Sequence, residues 1–199
     1  MSAARTRAPR RDAQRNRARI IDVAEQAFAA EGLDVPLDSV AKRAGVGAGT
    51  LYRHFPTRED LVAAVLEGRQ PDLDRERAGI EAERLEPDAA LDRWLAVLVS
   101  WMRAYNGLPG SLRAAVDARS TPLGMTCETV IAVTDHFLGA AQRAGAARPD
   151  VQGLDLFLGA LGTAWASTAS SPGTEPPDGR TGDDLLRLLR CGWAVGRPG

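Results

Sequence analysis

Cysteine, histidine and lysine are all scarce in this 199-residue sequence. Two cysteines, Cys127 and Cys191, form no CxxC or other ligand-spaced pair and cannot build a disulfide framework, which points to a reducing compartment. The two histidines are His54 and His136; Cys127 and His136 are nine positions apart and so fall on opposite sides of one helix. No metal-ligand set, cofactor motif or nucleophile–base pair is assembled locally, and an enzyme is not expected. Lys42 is the single lysine among 25 basic residues, an imbalance that a GC-rich coding sequence would produce without selection for guanidinium, so the arginine count carries no argument by itself.

Long apolar runs are missing too. None approaches the roughly 20 residues of a membrane helix, and the basic N-terminus leads into acid-containing amphipathic sequence in place of a signal core. A cytoplasmic protein with no membrane partner is expected. Sustained two-residue alternation and Asn-Gly hairpin signals are absent as well, which removes the case for strands.

What is present is charge asymmetry and helical periodicity. Net charge is −1, yet residues 1–19 hold seven arginines against Asp12, a local +6 that leaves −7 for the remainder. Residues 1–14 read as a basic disordered arm, with phosphate neutralisation as its functional alternative. Ile20, Ile21, Ala24, Ala27 and Phe28 share one helix face, which predicts a first helix from about Arg15 to Glu31, stopped at Gly32. Pro36 suits the start of a second helix over Leu37–Ala44, with Lys42 and Arg43 outward. Thr57 and Asp60 resemble a capping box that opens a fourth helix, and the basic-to-neutral transition ends near Gly68. Pro71, Pro87, Pro109, Pro122 and Pro149 then punctuate segments of helical length. Ser170–Arg180, rich in Pro, Gly and Ser, reads as a loop before a last helix.

Between the second and fourth helices lies "GVGAGTLYRHF", Gly45 to Phe55. Gly45 supplies a left-handed stop, and a third helix begins within a few residues. Leu51 and Phe55 share its inner side; Thr50, Arg53 and His54 lie roughly opposite, with Tyr52 at the edge and no acid among them. Two short helices at a sharp turn, the second small and acid-free outside, have the geometry that enters a DNA major groove.

"RIIDVAEQAFAAEG" followed by "LDSVAKRAGVGAGTLYRHFPTREDL" resembles the N-terminal DNA-binding domain of the TetR family of ligand-responsive transcriptional regulators. The resemblance covers about Arg15 to Leu66. It implies an all-α fold: a three-helix helix-turn-helix domain over 15–68, with the motif at about 36–55, and a larger helical effector-binding and dimerisation domain over 69–199. It also implies a bacterial regulator, a double-stranded DNA operator, a small apolar or aromatic effector, and a homodimer. Carried over by position, Thr50, Tyr52, His54 and Arg58 face phosphates, Ala48, Gly49 and Arg53 face base edges, and Lys42 joins the DNA-facing set. Gly47 and Asp38 depart from the family pattern and keep open a helical ligand-binding or scaffold protein without DNA binding.

Leu91, Trp94, Leu95, Leu98, Trp101, Met102 and Tyr105 form an amphipathic stripe, which spacing alone assigns to a core. The resemblance makes Trp94, Trp101, Tyr105, Met125, Phe137 and Trp165 wall residues of an effector cavity. It also turns the stripes Leu154–Trp165 and Leu185–Gly192 into a four-helix dimer interface.

Overall fold

The computed structural model describes residues 7–105, 107–168 and 182–195. Among these, the chain runs through nine helices: α1 (Arg7–Glu31), α2 (Leu37–Arg43), α3 (Ala48–His54), α4 (Arg58–Glu83), α5 (Pro87–Met102), α6 (Leu108–Asp117), α7 (Pro122–Arg143), α8 (Gly153–Thr168) and α9 (Gly182–Trp193). One antiparallel bridge, Ala147 to Ala194, is the sole β pairing among the described residues. The loop expected at 170–180 lies outside them.

Two elements are longer than their local sequence suggests. α1 opens at Arg7, so residues 7–14 extend a helix where a disordered arm is expected. The segment is built from Arg, Ala and Gln, which favour helix, and Pro9 falls in the first turn, where its missing N–H is not needed. α4 continues for 26 residues through Gly68 and Pro71, past the boundary read at residue 68. A proline inside a helix costs about 3 kcal/mol. Packing offsets it: Leu61 to Leu66 are buried in succession, and Leu73 and Ile80 are buried beyond the proline.

At the start of α4 the expected cap is present. The Asp60 N–H donates to Thr57 Oγ1 at 3.1 Å, and the Thr57 N–H donates to Asp60 Oδ2 at 3.0 Å. α1, α2 and α3 close around Ile20, Ala24, Phe28, Val40, Leu51 and Phe55, all nearly or wholly excluded from solvent. α5 and α7 are the centre of the body, with α4, α6 and α8 against them. α9 lies on α8, where Gly159 permits close approach: a Cβ there would come within 2.4 Å of Leu189 Cδ1. Arg190 anchors α9 to α5 through Asp88 at 2.7 Å and through Asp92.

Candidate nucleic-acid interface

The α2–α3 corner depends on Gly45, whose φ of +64° lies in the left-handed region. A Cβ on Gly45 would also sit 2.7 Å from the Arg19 guanidinium, so α1 and the turn are in direct contact. The Val46 N–H then donates to the Ala41 carbonyl at 3.0 Å and turns the chain into α3. Gly47 caps α3 with extended backbone and no side-chain bond, while the Thr50 N–H reaches the Gly47 carbonyl at 2.8 Å.

α3 buries Leu51 and presents its other faces. Ala48, Gly49 and Arg53 are exposed, Tyr52 is 45% exposed, and Thr50 and His54 are half-buried. Neither Ala48 nor Gly49 carries a bulky side chain, so the helix N-terminus with its free N–H groups can approach a phosphate or base edge closely. Lys42 is exposed on the last turn of α2.

Electrostatics favour an anionic partner. α3 has no acid in its first turn and ends on Arg53 and His54. Glu31 is neutralised by Arg43, which donates to both carboxylate oxygens, one of them at 3.1 Å; that bond holds the Glu31 carboxyl below its ordinary range. Asp38 stands in the first turn of α2, where a negative charge suits the helix dipole.

Arg58, at the start of α4, donates through Nη1 to the carbonyls of Leu33 and, at 2.8 Å, Val35, so this nitrogen ties α4 to the α1–α2 loop. His54 is shared, lining with Arg17, Phe55, Asp60 and the exposed Met125 of α7 a cleft of about 540 Å³. Arg17 stacks over the Phe55 ring at 5.2 Å.

The six aromatic and sulfur residues expected around an effector do not enclose one cavity. Trp94 is 1% exposed, stacks on Phe137 at 5.5 Å and donates through Nε1 to Thr134 Oγ1 at 3.0 Å, so this part of the body is filled. Trp101 is buried facing a groove between α4 and α5. Met125 and Trp165 are exposed on α7 and α8, away from that core. Helical projection puts residues on one face of one helix; it does not say how the helices then close.

Tyr105 sits where the body meets α1. It is buried, its ring lies edge-on to Phe28 at 6.3 Å, and its hydroxyl donates to Glu25 Oε1 at 3.4 Å. Arg69 of α4 sits 5.4 Å above the same ring. One turn on, Gly107 adopts φ +87° with its missing Cβ position 3.5 Å from Leu33. The α5–α6 turn is thereby seated on α1 and the loop after it, a junction between distant segments that no local pattern announces. Burial raises the Tyr105 hydroxyl above its ordinary value, opposed by a hydrogen bond from Arg69 and by its charge.

Among the described residues no cluster of His, Cys, Asp or Glu could hold a metal ion, and no helix is long and apolar enough to cross a membrane.

Residues 20–65 match the family model for bacterial regulatory proteins of the tetR family, and residues 86–192 match the C-terminal domain of SbtR-like transcriptional regulators. A solved TetR transcriptional regulator from Streptomyces coelicolor is 34% identical, covering 88% of this chain and 97% of its own with a TM-score of 0.54. The HTH-type transcriptional regulator SrpR of Pseudomonas putida is 28% identical over 198 residues, 81% of this chain and 89% of SrpR. The fold is shared with RolR, solved with resorcinol, at TM-score 0.61 and 21% identity, covering 89% of each chain. Members of this family are DNA-binding regulators and not enzymes, and the helix-turn-helix corner, the helical body behind it and both family models place this chain in the TetR family of transcriptional regulators.

Proposed function

We propose that this chain is a homodimeric repressor that holds a palindromic operator and lets go of it when a small molecule occupies the helical body. The observation that carries the DNA half is the outer side of α3: Tyr52 and Arg53 project from a helix that is acid-free in its first turn, and the neighbouring Glu31 is already neutralised. Residues 15–68 act as the DNA-facing unit and 69–199 as the regulatory one, with α4 common to both. Thr50, Tyr52 and His54 hold phosphates, Lys42 adds charge, and Ala48, Gly49 and Arg53 meet base edges. The exposed Trp165 and Leu188 on α8 and α9 supply the apolar face through which two copies pair. Cytoplasmic location follows from this role.

Selection of bound fragments from genomic DNA by the purified protein tests the reading. The expected result is a two-fold symmetric site. Tyr52→Phe and Thr50→Ala weaken binding to every sequence, since a phosphate contact carries no base information, whereas Arg53→Ala loses about 1–3 kcal/mol at one position of each half-site and relaxes preference there. Recovery of fragments with no shared sequence would favour the ligand-binding or scaffold alternative, to which the uncapped Gly47 start of α3 lends its support.

A further inference from the structure

The DNA-facing unit is carried on the body by α4. α1, α2 and α3 rest on one another and α1 rests on α4, while no other helix of the body packs extensively against them. A unit carried on one rod can swing about it unless a second contact, away from the rod's axis, fixes the angle. On one side of α4 there is room to swing: the cleft of about 540 Å³ separates His54, Phe55 and Pro56 from Pro122 and Met125 of α7, with Glu67 on its α4 wall. Arg69 is two positions further along α4, about 200° round the helix from Glu67, and so stands on nearly the opposite side.

On the Arg69 side the second contact is present. Phe28 of α1 and Leu33 of the loop after it meet Tyr105 and Gly107. Apolar contacts of this kind are non-directional and hold two surfaces together at many angles. The Tyr105 hydroxyl is directional. It ends a buried side chain, donates to Glu25 Oε1 of α1 at 3.4 Å and accepts from the Arg69 guanidinium of α4. Its one proton is committed to the acid and a lone pair to the base, so the phenol is engaged both as donor and as acceptor between opposite charges. α1, α4 and the α5–α6 turn are thereby pinned to one another at one point.

We propose that Tyr105 is the positioning residue of the DNA-facing unit: its hydroxyl, held between Glu25 and Arg69, stops α1–α3 from swinging about α4 toward the Met125 cleft. In a dimer the same brace sets the distance between the two α3 helices, because a swing of one unit on its body displaces its α3 relative to that of the second copy. Major grooves on one face of DNA recur roughly every 34–36 Å. A braced unit therefore discriminates between half-site spacings, a property that no base-reading side chain supplies. The brace itself rests on the contacts of one chain; its consequence for spacing rests on the homodimeric operator reading above.

Tyr105→Phe keeps the buried ring and its edge contact with Phe28 and removes only the hydroxyl, while Glu25→Ala, at an exposed position, removes the acceptor instead. The brace is read on the full chain by electron–electron distance measurement between nitroxides at Ala18→Cys and Met125→Cys, both exposed positions, with Cys191→Ser and dilution into unlabelled chain; Cys127 is buried and stays unlabelled. The parent should give one narrow distance and each substitution should add a shorter population. Combining the two should do no more than either alone, since both remove the same bond. Spacing is read on the selected operator and on versions one base pair longer and shorter. Tyr105→Phe should weaken binding at the selected spacing about tenfold, the factor that corresponds to one hydrogen bond to a charged group. It should leave a single half-site bound as by the parent and flatten the preference among the three spacings. A parent-like distance distribution in both variants would overturn the brace. Added short distances with a parent-like spacing preference uphold the brace and remove its role in spacing. A parent that selects no two-fold site defeats the homodimeric reading alone, and the distance measurement still decides the brace.

Discussion

On α3 the side chains with chemistry to offer point away from the protein: Tyr52 is 45% exposed and Arg53 is exposed beside it. In the body, Trp94 and Phe137, large side chains of the same general kind, are stacked out of reach of solvent. One region has a stable platform and a bare working surface; the other has put its aromatic residues into holding itself together. Residues that bind a partner are those whose loss leaves the fold alone, and in this chain the two sets can be told apart by what each side chain already touches.

Trp94→Ala gives the largest expected effect. It removes a stacked indole and leaves Thr134 without its donor, and should destabilise the fold by about 3–5 kcal/mol, read from urea unfolding. Tyr52→Ala in the same assay should stay within about 0.5 kcal/mol. A Trp94 variant that lost less than about 1 kcal/mol would mean that the body is not filled around this residue, and the contrast between the regions would fail.

Arg58 sharpens the contrast from within the DNA-facing unit. Because its guanidinium serves the Leu33 and Val35 carbonyls, Arg58→Met should cost about 1.5–3 kcal/mol of stability, as expected for hydrogen bonds from a charged donor. The salt dependence of operator binding by the folded fraction should keep its slope. A slope shallower by about one would return Arg58 to the phosphate-holding set.

Cys127 provides the smallest effect, and one that depends on pH. Burial pushes its thiol from an ordinary 9.0 up to about 11. Between these values the unfolded chain has released a proton that the folded chain retains, so stability falls as pH rises. The contribution is complete below pH 9 and lost toward pH 11, at most about 2 kcal/mol of it by pH 10.5. Unfolding at pH 8 and 10.5, parent against Cys127→Ala, isolates it: the drop should be smaller in the variant. The exposed Cys191 should react with a thiol reagent in the native state while Cys127 does not.

Near-neighbour spacing made the helix-turn-helix corner legible. Gly45, the Thr57–Asp60 cap and the inward Leu51 and Phe55 are each decided within a few residues of chain, and each is where the sequence places it. The buried stripe of α5 was legible for the same reason. What escaped depends on residues far apart in the chain. Tyr105 meets Glu25 across 80 positions, Arg58 reaches back 25 to Leu33, and Trp165 is exposed on α8. The length of α4 escaped for a related reason: Pro71 is a local stop signal, overruled by burial on both sides of it.

The unbroken run of α4 has a mechanical consequence. At 1.5 Å per residue, its 26 residues amount to a rod about 39 Å long, carrying the DNA-facing unit at one end and the α4–α5 turn at the other. Tilting such a rod by about 5° about one end displaces the other by roughly 3.4 Å, the rise of a single base-pair step. A tilt of this size about the α4–α5 turn is therefore large enough, at the far tip, to shift α3 by the spacing of one base pair.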